Sequence, residues 1–142
     1  MSPEKQEMVI RESFGRLNVW IIGDIMVDEY VTGKVSRISP EAPIPVLNYG
    51  AVERIAGGAS NVAHNVAKLG SRVTMLGVLG DDASGRWLKG HLESRQINTD
   101  GLIVEADRVT TVKRRFATKS QQLLRVDLEN THNIKKKTRK ML

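Results

Sequence analysis

The sequence predicts an α/β fold in which the strands of a parallel sheet alternate with helices. Two short apolar runs, 17–23 and 73–80, are typical of strands that are buried on both faces of such a sheet. The segment 60–69 between them carries apolar residues at helical spacing, and so does the segment 83–95 that follows them. This alternation indicates right-handed crossovers in a wound sheet.

The ends of these elements carry their own signals. Gly70 stands where a left-handed cap would end the first helix, and Asp82 is a plausible N-cap of the second. The residues 99–101 (Thr-Asp-Gly) are expected to break the chain before another strand at 102–104. The spacing of Met8, Val9 and Phe14 predicts a short amphipathic helix near the N-terminus.

Two further stretches have the character of β structure outside the wound core. The segment 30–55 contains three prolines between strand-like runs, and prolines of this kind belong on sheet edges. The segment 109–128 alternates apolar and polar residues with period two, which predicts a hairpin with one polar face. Together they predict a small β lid beside the main sheet.

Composition limits the classes of function. The chain has 142 residues, which is one domain or part of one, and aromatic residues make up only 4% of it, so a stacking platform for single-stranded nucleic acid is not expected. It has no cysteine, which excludes disulfides, thiolate zinc sites and cysteine nucleophiles and fits a reducing cytoplasm. No apolar run is long enough to span a membrane, and residues 1–17 lack the apolar core of a secretory signal.

The positive charge is concentrated at the C-terminal end. Removing five basic residues near that end from the net charge of +6 leaves +1. A terminal charge run of this kind favours a solvated helix face or tail over a grip on phosphates, although a basic nucleic-acid binder stays as a rival class. The five residues are Lys135, Lys136, Lys137, Arg139 and Lys140.

The run Gly57-Gly58-Ala59-Ser60-Asn61 is the most informative motif. Two adjacent glycines allow the backbone to approach a ligand closely, and they precede a helix whose first N–H groups favour polar or anionic ligands. Asn61 adds a side chain with both a donor and an acceptor. A tight strand-to-helix turn with no ligand explains the glycines equally well.

Carboxylates follow the first predicted strand. Asp24 and Asp28 lie at its carboxyl end, where open α/β sheets bind their ligands. They could accept hydrogen bonds from sugar hydroxyls or bind a metal, or they could simply cap loops. Neither a dinucleotide-binding glycine motif nor a phosphate-binding P-loop is present, and the three histidines lack ligand spacing.

Basic side chains recur on the polar face of the predicted hairpin. Lys113, Arg115 and Arg125 lie on or near that face and could hold a phosphorylated ligand, since arginine offers bidentate geometry. A solvated edge strand protected by charge is the structural alternative.

The motifs, taken in order, resemble the ribokinase-like (PfkB-type) carbohydrate kinase family, and most closely its D-glycero-β-D-manno-heptose 7-phosphate kinase branch. The glycine motif AGGASNVAHNVAKLG at 56–70 is a family-level signature, whereas SRISPEAPIPV at 36–46 and QQLLRVD at 121–127 are narrower. The others are GDIMVDEY at 23–30, GVLGDDASG at 77–85 and TVKRRF at 111–116.

The resemblance implies the N-terminal half of a ribokinase-like wound sheet with a small β lid. Its core would comprise about 17–29 and 56–108, and its lid about 30–55 and 109–128, followed by a basic tail at 130–142. By the same resemblance the lid pairs with a second subunit to form a homodimer. The protein would be cytoplasmic, with no nucleic-acid or membrane partner.

The resemblance also implies an activity. The complete enzyme would use ATP and Mg²⁺ to phosphorylate a heptose 7-phosphate at its anomeric hydroxyl, for the synthesis of ADP-heptose and lipopolysaccharide. Asp28, Gly57, Gly58 and Asn61 would bind the sugar hydroxyls. Lys113, Arg115 and Arg125 match basic lid positions that could approach the sugar phosphate.

One family motif is missing from this chain. The family's catalytic base is the aspartate of a Gly-Ala-Gly-Asp motif in the C-terminal half, which also holds the ATP-binding segments. Gly80-Asp81 matches a different position. We therefore expect no catalytic residue and no bound ATP or Mg²⁺ in residues 1–142, and no activity of this chain alone. A non-catalytic sugar-binding or dimerisation module is the alternative.

Overall fold

A computed structural model describes residues 2–142, which form two sheets and four helices. The elements, in chain order, are α1 (Pro3–Phe14), β1 (Asn18–Ile22), β2 (Ile25–Ile38), β3 (Pro45–Gly58), α2 (Ala59–Lys68), β4 (Arg72–Gly80), α3 (Ala83–Glu93), β5 (Asn98–Glu105), β6 (Thr111–Ala117), β7 (Gln122–Leu128) and α4 (Lys136–Arg139). Within these residues no helix is long and apolar enough to cross a membrane.

The first sheet is parallel, with the strand order β1-β4-β5. Its central strand is β4, which contains the apolar run 73–80, so the strand predicted there is confirmed. Met75 and Leu79 of β4 pack with Ala63 of α2 and with Leu88 of α3 in a buried apolar cluster. Both helices therefore cover the same face of this sheet.

The prediction that the first strand is buried on both faces is wrong. Trp20 and Ile22 of β1 are 70% and 65% exposed, whereas Ile21, which points to the other face, packs against the core. The helices α2 and α3 pack on the face of Ile21, so the apolar side chains of the opposite face stay in contact with solvent.

The predicted break at 99–101 is also wrong, because β5 runs through it from Asn98 to Glu105. Gly101 pairs with Leu76 of β4, and the ladder accommodates the turn-like residues with a register shift. The Asp100 N–H donates to Asn98 Oδ1 at 2.7 Å, so the local turn contact forms inside the strand.

The second sheet has the strand order β3-β2-β6-β7 and contains both predicted β excursions. The strands β2 and β3 are antiparallel and longer than the sequence predicts, since together they include Asp28 and Gly57. The strands β6 and β7 form the predicted hairpin, and β6 runs parallel to β2. Pro45 begins β3, which is an edge strand, as predicted for these prolines.

The end of β4 is joined to the start of β6 by Asp82. Its carboxylate accepts the Gly85 N–H at 2.8 Å, which confirms the predicted N-cap of α3, and its second oxygen accepts the Thr110 N–H at 2.7 Å. The Thr110 hydroxyl in turn accepts the Gly80 N–H at 3.0 Å. The three-stranded and four-stranded sheets are therefore linked at this point.

The basic C-terminal segment is largely solvated but is attached to the core by one buried carboxylate. Glu105 accepts the Lys135 N–H at 3.1 Å, the Thr138 hydroxyl and the Arg108 guanidinium. The Thr138 hydroxyl, followed by the Arg108 and Lys135 bonds, holds the pKa of Glu105 below its ordinary value, although burial opposes this. All five basic residues from 135 to 140 are exposed, as expected for a solvated face.

Candidate functional site

The candidate site is centred on the contact between Asp28 and the first glycine of the Gly-Gly pair. Met26 of β2 pairs with Gly57 of β3, which places Asp28 diagonally across from that glycine. A Cβ atom built on Gly57 would collide with Asp28 Oδ2 and would lie 3.0 Å from Met26 Cγ. A glycine is therefore required here for the Asp28 carboxylate to occupy its position.

The second glycine turns the chain from β3 into α2. Gly58 has φ +57°, a left-handed conformation that favours glycine, and a Cβ atom there would lie 2.5 Å from the Asp24 carbonyl oxygen. The Ala59 N–H donates to that same carbonyl at 2.9 Å, and the Ser60 hydroxyl donates to the Gly57 carbonyl. The loop is thus fixed by backbone contacts on both sides.

Asn61 lies in the first turn of α2 with its side chain exposed to solvent. It is close in sequence to the glycine pair, but among residues 2–142 its side chain forms no hydrogen bond with Asp28 or with the basic candidates.

Charged side chains line one face of the four-stranded sheet beyond this loop. Because side chains alternate along strands, cross-strand pairing places Asp28 beside Lys113, Tyr30 beside Arg115, and Arg115 beside Arg125. We call this surface the polar face. Its charged members include Asp28, Lys113, Arg115, Arg125 and Asp127, together with Glu53, which lies opposite Tyr30 on β3.

Arg115 reaches diagonally across Tyr30 to Asp28. The guanidinium carbon lies 5.5 Å from the centroid of the Tyr30 ring, and Nη1 lies 2.9 Å from Asp28 Oδ1. Asp28 Oδ1 is almost inaccessible to solvent, yet no described residue donates a properly aligned hydrogen bond to it. The pair is thus held by proximity of opposite charges, and the carboxylate keeps an unused acceptor position.

The other two basic candidates are paired with carboxylates. Lys113 Nζ lies 3.1 Å from Asp127 Oδ2 and 3.7 Å from Glu129 Oε2, and Arg125 Nε lies 2.9 Å from Asp127 Oδ1. The Lys113 hydrogen bond, and then the Arg125 bond and charge, hold the pKa of Asp127 below its ordinary value. Lys113 and Arg125 are therefore both paired with carboxylates on or beside the polar face.

A cavity of about 550 Å³ opens beside the polar face, between the carboxyl ends of β1 and β4 and the base of β2 and β6. Asp24, Met26, Lys113 and Glu129 line it, whereas Asp28 and Arg115 do not. Of the two sequence-predicted aspartates, Asp24 therefore faces the cavity, and Asp28 lies on the neighbouring polar face. Lys113 belongs to both regions, and its partner Glu129 lines the cavity beside the polar face.

The next residue along β2, Glu29, points to the opposite face of the sheet. It is 3% exposed, and its two oxygens accept hydrogen bonds from Arg54 Nε at 2.9 Å and from Arg114 Nε. Burial opposes ionisation, but the two guanidinium groups overcome it and lower the pKa of Glu29.

The sequence-based candidates are thus only partly gathered in space. Gly57 and Arg115 each adjoin Asp28. Lys113 and Arg125 are linked to this group through the polar face, and Asn61 stands apart on α2. Sequence reasoning missed Tyr30, Asp127 and Glu129. The period-two alternation of 122–128 contained a usable signal, since it places Asp127 on the same face as Arg125.

Among residues 2–142, no three histidine or acidic side chains lie close enough together to hold a metal ion.

Comparison with curated proteins gives consistent matches. The chain is 45% identical over 118 residues to the D-beta-D-heptose 7-phosphate kinase of Bordetella bronchiseptica, which covers 83% of this chain and 37% of that protein. It is 47% identical over 121 residues to the bifunctional protein HldE of Caulobacter sp. (strain K31), with 83% and 24% covered. The chain spans between about a quarter and somewhat over a third of these relatives' lengths.

Comparison with solved structures gives the same fold. The fructokinase of Halothermothrix orenii matches with a TM-score of 0.57 and 29% identity over 80% of this chain and 39% of that one. A carbohydrate kinase from Agrobacterium tumefaciens matches with a TM-score of 0.65 and 17% identity, covering 78% and 34%. These neighbours confirm the predicted ribokinase-like α/β fold.

The decisive match is to a family as a whole. Residues 16–141 match the pfkB family carbohydrate kinase, a stretch that includes every strand of both sheets. The sequence motifs, the fold and the curated relatives agree with it. The chain belongs to the pfkB family of carbohydrate kinases.

Proposed function

We propose that this chain is the sugar-binding part of a kinase that uses ATP to phosphorylate a heptose 7-phosphate at its anomeric hydroxyl, in the synthesis of ADP-heptose. The relative from Bordetella bronchiseptica, at 45% identity, carries the name of a heptose 7-phosphate kinase. A solved fructokinase of Xylella fastidiosa, 23% identical, is described with bound ATP.

The observation that carries this proposal is the Asp28 carboxylate held against Gly57. A carboxylate with an unused acceptor position, beside a backbone without a side chain, suits a polyhydroxylated ligand that must come close to the chain. Asp28 accepts hydrogen bonds from the sugar hydroxyls, the Gly57–Gly58 backbone allows the ring to approach, and Asn61 contacts the sugar from the first turn of α2.

The cations of the polar face serve the phosphate end of the ligand. Lys113, Arg115 and Arg125 lie along two adjacent strands, so a phosphate near Arg115 is within reach of more than one of them. In this proposal the four-stranded sheet acts as a lid over the sugar, and the segments 30–55 and 109–128 are its parts. The proposal assigns no residue of 1–142 to ATP, to Mg²⁺ or to the catalytic base.

Binding of heptose 7-phosphate to the purified chain tests the proposal. A hydrogen bond to a charged group contributes about 1.5–3 kcal/mol, so Asp28→Ala is expected to weaken binding by roughly tenfold to a few hundredfold. Asp100→Ala is the control, since Asp100 is an exposed carboxylate on β5, in the other sheet. Equal affinities of wild type and Asp28→Ala would remove Asp28 from the site.

Turnover is tested separately. We expect the purified chain to release no ADP from ATP in the presence of heptose 7-phosphate, because phosphoryl transfer needs groups around the γ-phosphate that this chain does not carry. Robust turnover by residues 1–142 would overturn that expectation.

A role in dimerisation is the second candidate. The four-stranded sheet exposes Val52, Leu124, Val126 and Leu128 on the face opposite the polar face. Val52 lies on one edge strand of the sheet and the three others on the opposite edge strand. Exposed apolar side chains on one face favour association, and a second copy of the chain is the partner we propose. Sedimentation should then show a dimer that Val126→Lys disrupts, and a monomeric wild-type chain would refute this role.

A further inference from the structure

We propose that Arg115 makes the site selective for phosphorylated sugars, because it blocks Asp28 until the ligand's phosphate draws it away. In the free protein the guanidinium covers the carboxylate that is to accept sugar hydroxyls. A sugar phosphate supplies its own replacement partner for Arg115, and an unphosphorylated sugar does not. This inference rests on the proposed function and assigns Arg115 a second task within it.

The blocking follows from the geometry of Asp28. Nη1 of Arg115 lies 2.9 Å from Asp28 Oδ1, and that oxygen has almost no contact with solvent. The two side chains are only 20% and 21% exposed. A sugar hydroxyl that is to donate to Oδ1 must therefore take the place of the guanidinium, which breaks an ion pair.

The pair is nevertheless built so that it can be exchanged. No described N–H is aligned on Asp28 Oδ1, and the hydrogen bond that Arg115 Nη1 does form is a long one of 3.4 Å to the Lys113 carbonyl. Charge-assisted hydrogen bonds owe their strength to short, well-aligned geometry. Arg115 thus has more to gain from a new acceptor than a fully bonded arginine would have.

Phosphate is the acceptor that suits this position. Its oxygens match the planar donor fork of a guanidinium, and a phosphate monoester carries about −1.5 to −2 charges near neutral pH. Arg115 also lies directly opposite Arg125 across the β6–β7 ladder, and directly opposed like charges are unfavourable. A phosphate between these two arginines removes that repulsion and leaves Asp28 available.

The neighbouring cations are less available for this task. Lys113 is shared between Asp127 and Glu129, and Arg125 is bonded to Asp127. Only Arg115 is paired with the carboxylate that the sugar needs. Recognition of the phosphate and recognition of the hydroxyls are therefore coupled through this one side chain.

The first test is binding of two probes, heptose 7-phosphate and the same heptose without phosphate. Arg115→Ala should bind the unphosphorylated heptose about tenfold more tightly than wild type does, because Asp28 is no longer covered. The same variant should bind heptose 7-phosphate more weakly. Lys34→Ala removes one exposed charge from the same sheet and serves as the control, with both affinities unchanged.

The second test needs no sugar. If Asp28 competes with phosphate for Arg115, Asp28→Asn should bind inorganic phosphate severalfold more tightly than wild type, since coupling between two ligands of one group is reciprocal. NMR signals of the Arg115 side chain report the binding directly. Asp100→Asn removes a carboxylate elsewhere and should leave the phosphate affinity unchanged.

The outcomes separate this inference from the proposed function. A gain of affinity for the unphosphorylated heptose in Arg115→Ala supports it. Weaker heptose 7-phosphate binding with no such gain makes Arg115 a simple phosphate contact, which overturns the inference and leaves the proposed function standing. If wild type binds neither sugar, the proposed function fails, and the phosphate titration of Asp28→Asn decides whether the two groups compete.

Discussion

Asp28 and Glu29 are consecutive residues of β2, yet their carboxylates are paired to very different degrees. Both oxygens of Glu29 accept hydrogen bonds from arginines. Asp28 has one arginine nearby and an inner oxygen with no aligned donor. Both residues lie in the same strand of the same sheet, so the difference arises from the positions of their partners.

Register and competition together explain the difference, because Lys113, the cation directly opposite Asp28, pairs with carboxylates on and just after the neighbouring strand instead. Arg54 and Arg114 lie directly opposite Glu29 on the two neighbouring strands, whereas Arg115 lies opposite Tyr30 and reaches Asp28 only diagonally. Directly opposed residues have the closest Cβ atoms and diagonal ones are farther apart. The directly opposed ion pairs of Glu29 therefore stabilise the fold, whereas the diagonal pair of Asp28 leaves a carboxylate that a ligand can bind.

The largest expected effect is on folding stability. Glu29→Ala leaves two arginines without their partner, and breaking a buried pair costs several kcal/mol. Because Arg54 and Arg114 are 39% and 38% exposed, we expect about 2–4 kcal/mol. Asp28→Ala should cost less, about 1–2 kcal/mol, because its single ion pair lacks an aligned hydrogen bond. Urea unfolding measures the loss of stability in both variants. Equal losses would contradict the claim that Glu29 is paired for stability and Asp28 is not.

The next largest effect is expected from a substitution in the backbone that adjoins the Asp28 carboxylate. Gly57→Ala puts a Cβ atom onto Asp28 Oδ2, so the carboxylate must move. We expect about 1–3 kcal/mol of destabilisation from overpacking, and heptose 7-phosphate binding weakened more than about tenfold.

Gly90→Ala is the matched control for this substitution. Gly90 lies inside α3 with open space where a Cβ would go, so alanine should stabilise the protein by about 1 kcal/mol. It should leave sugar binding unchanged. Normal binding by Gly57→Ala would show that the loop is only a structural turn.

A smaller effect is expected in acid. The folded-state pKa values of Glu29 and Asp82 lie below their ordinary values of 4.5 and 3.8. For Asp82, burial opposes this lowering and the Thr110 and Gly85 N–H groups cause it. The unfolded chain then binds more protons, so stability is present at neutral pH and is lost as pH falls below these ordinary values. Urea unfolding against pH should show a shallower acid loss for Asp82→Asn, and an unchanged slope would contradict it.

The smallest effect concerns a pair that is neither buried nor part of the site. Arg86 and Asp81 form an ion pair of 2.9 Å, but they are 67% and 63% exposed. Such pairs contribute little, so Arg86→Ala should change the free energy of unfolding by less than about 0.5 kcal/mol. A loss as large as that of Glu29→Ala would mean that pairing alone, without burial, sets the stability.

The periodicity of apolar residues in the sequence is sufficient to predict most of the helices and strands. Alternation predicts the β6–β7 hairpin, helical spacing predicts α2 and α3, and Gly70, with φ +103°, has the left-handed conformation expected of a cap. Turn propensity misleads at Asp100, because pairing with β4 overrides a local preference for a break.

Contacts between segments that are distant in the sequence cannot be predicted from periodicity. The Asp28–Arg115 pair joins residues 87 positions apart, and its diagonal geometry depends on how β6 docks beside β2. The exposure of Trp20 is missed for a related reason, since an apolar strand does not specify which of its faces α2 and α3 will cover.

The two hydrogen bonds accepted by Asp82 have a consequence for the order of folding. One closes the first turn of α3 within three residues, and the other waits for Thr110, 28 residues further along the chain. Local contacts form early, whereas contacts between distant residues form later, because closing the loop between them first costs conformational entropy. The N-terminal turn of α3 should thus form transiently on its own and become protected from hydrogen exchange only when β6 arrives. The Asp82 carboxylate therefore takes part in both an early event of folding, its bond to the Gly85 N–H, and a late one, its bond to the Thr110 N–H.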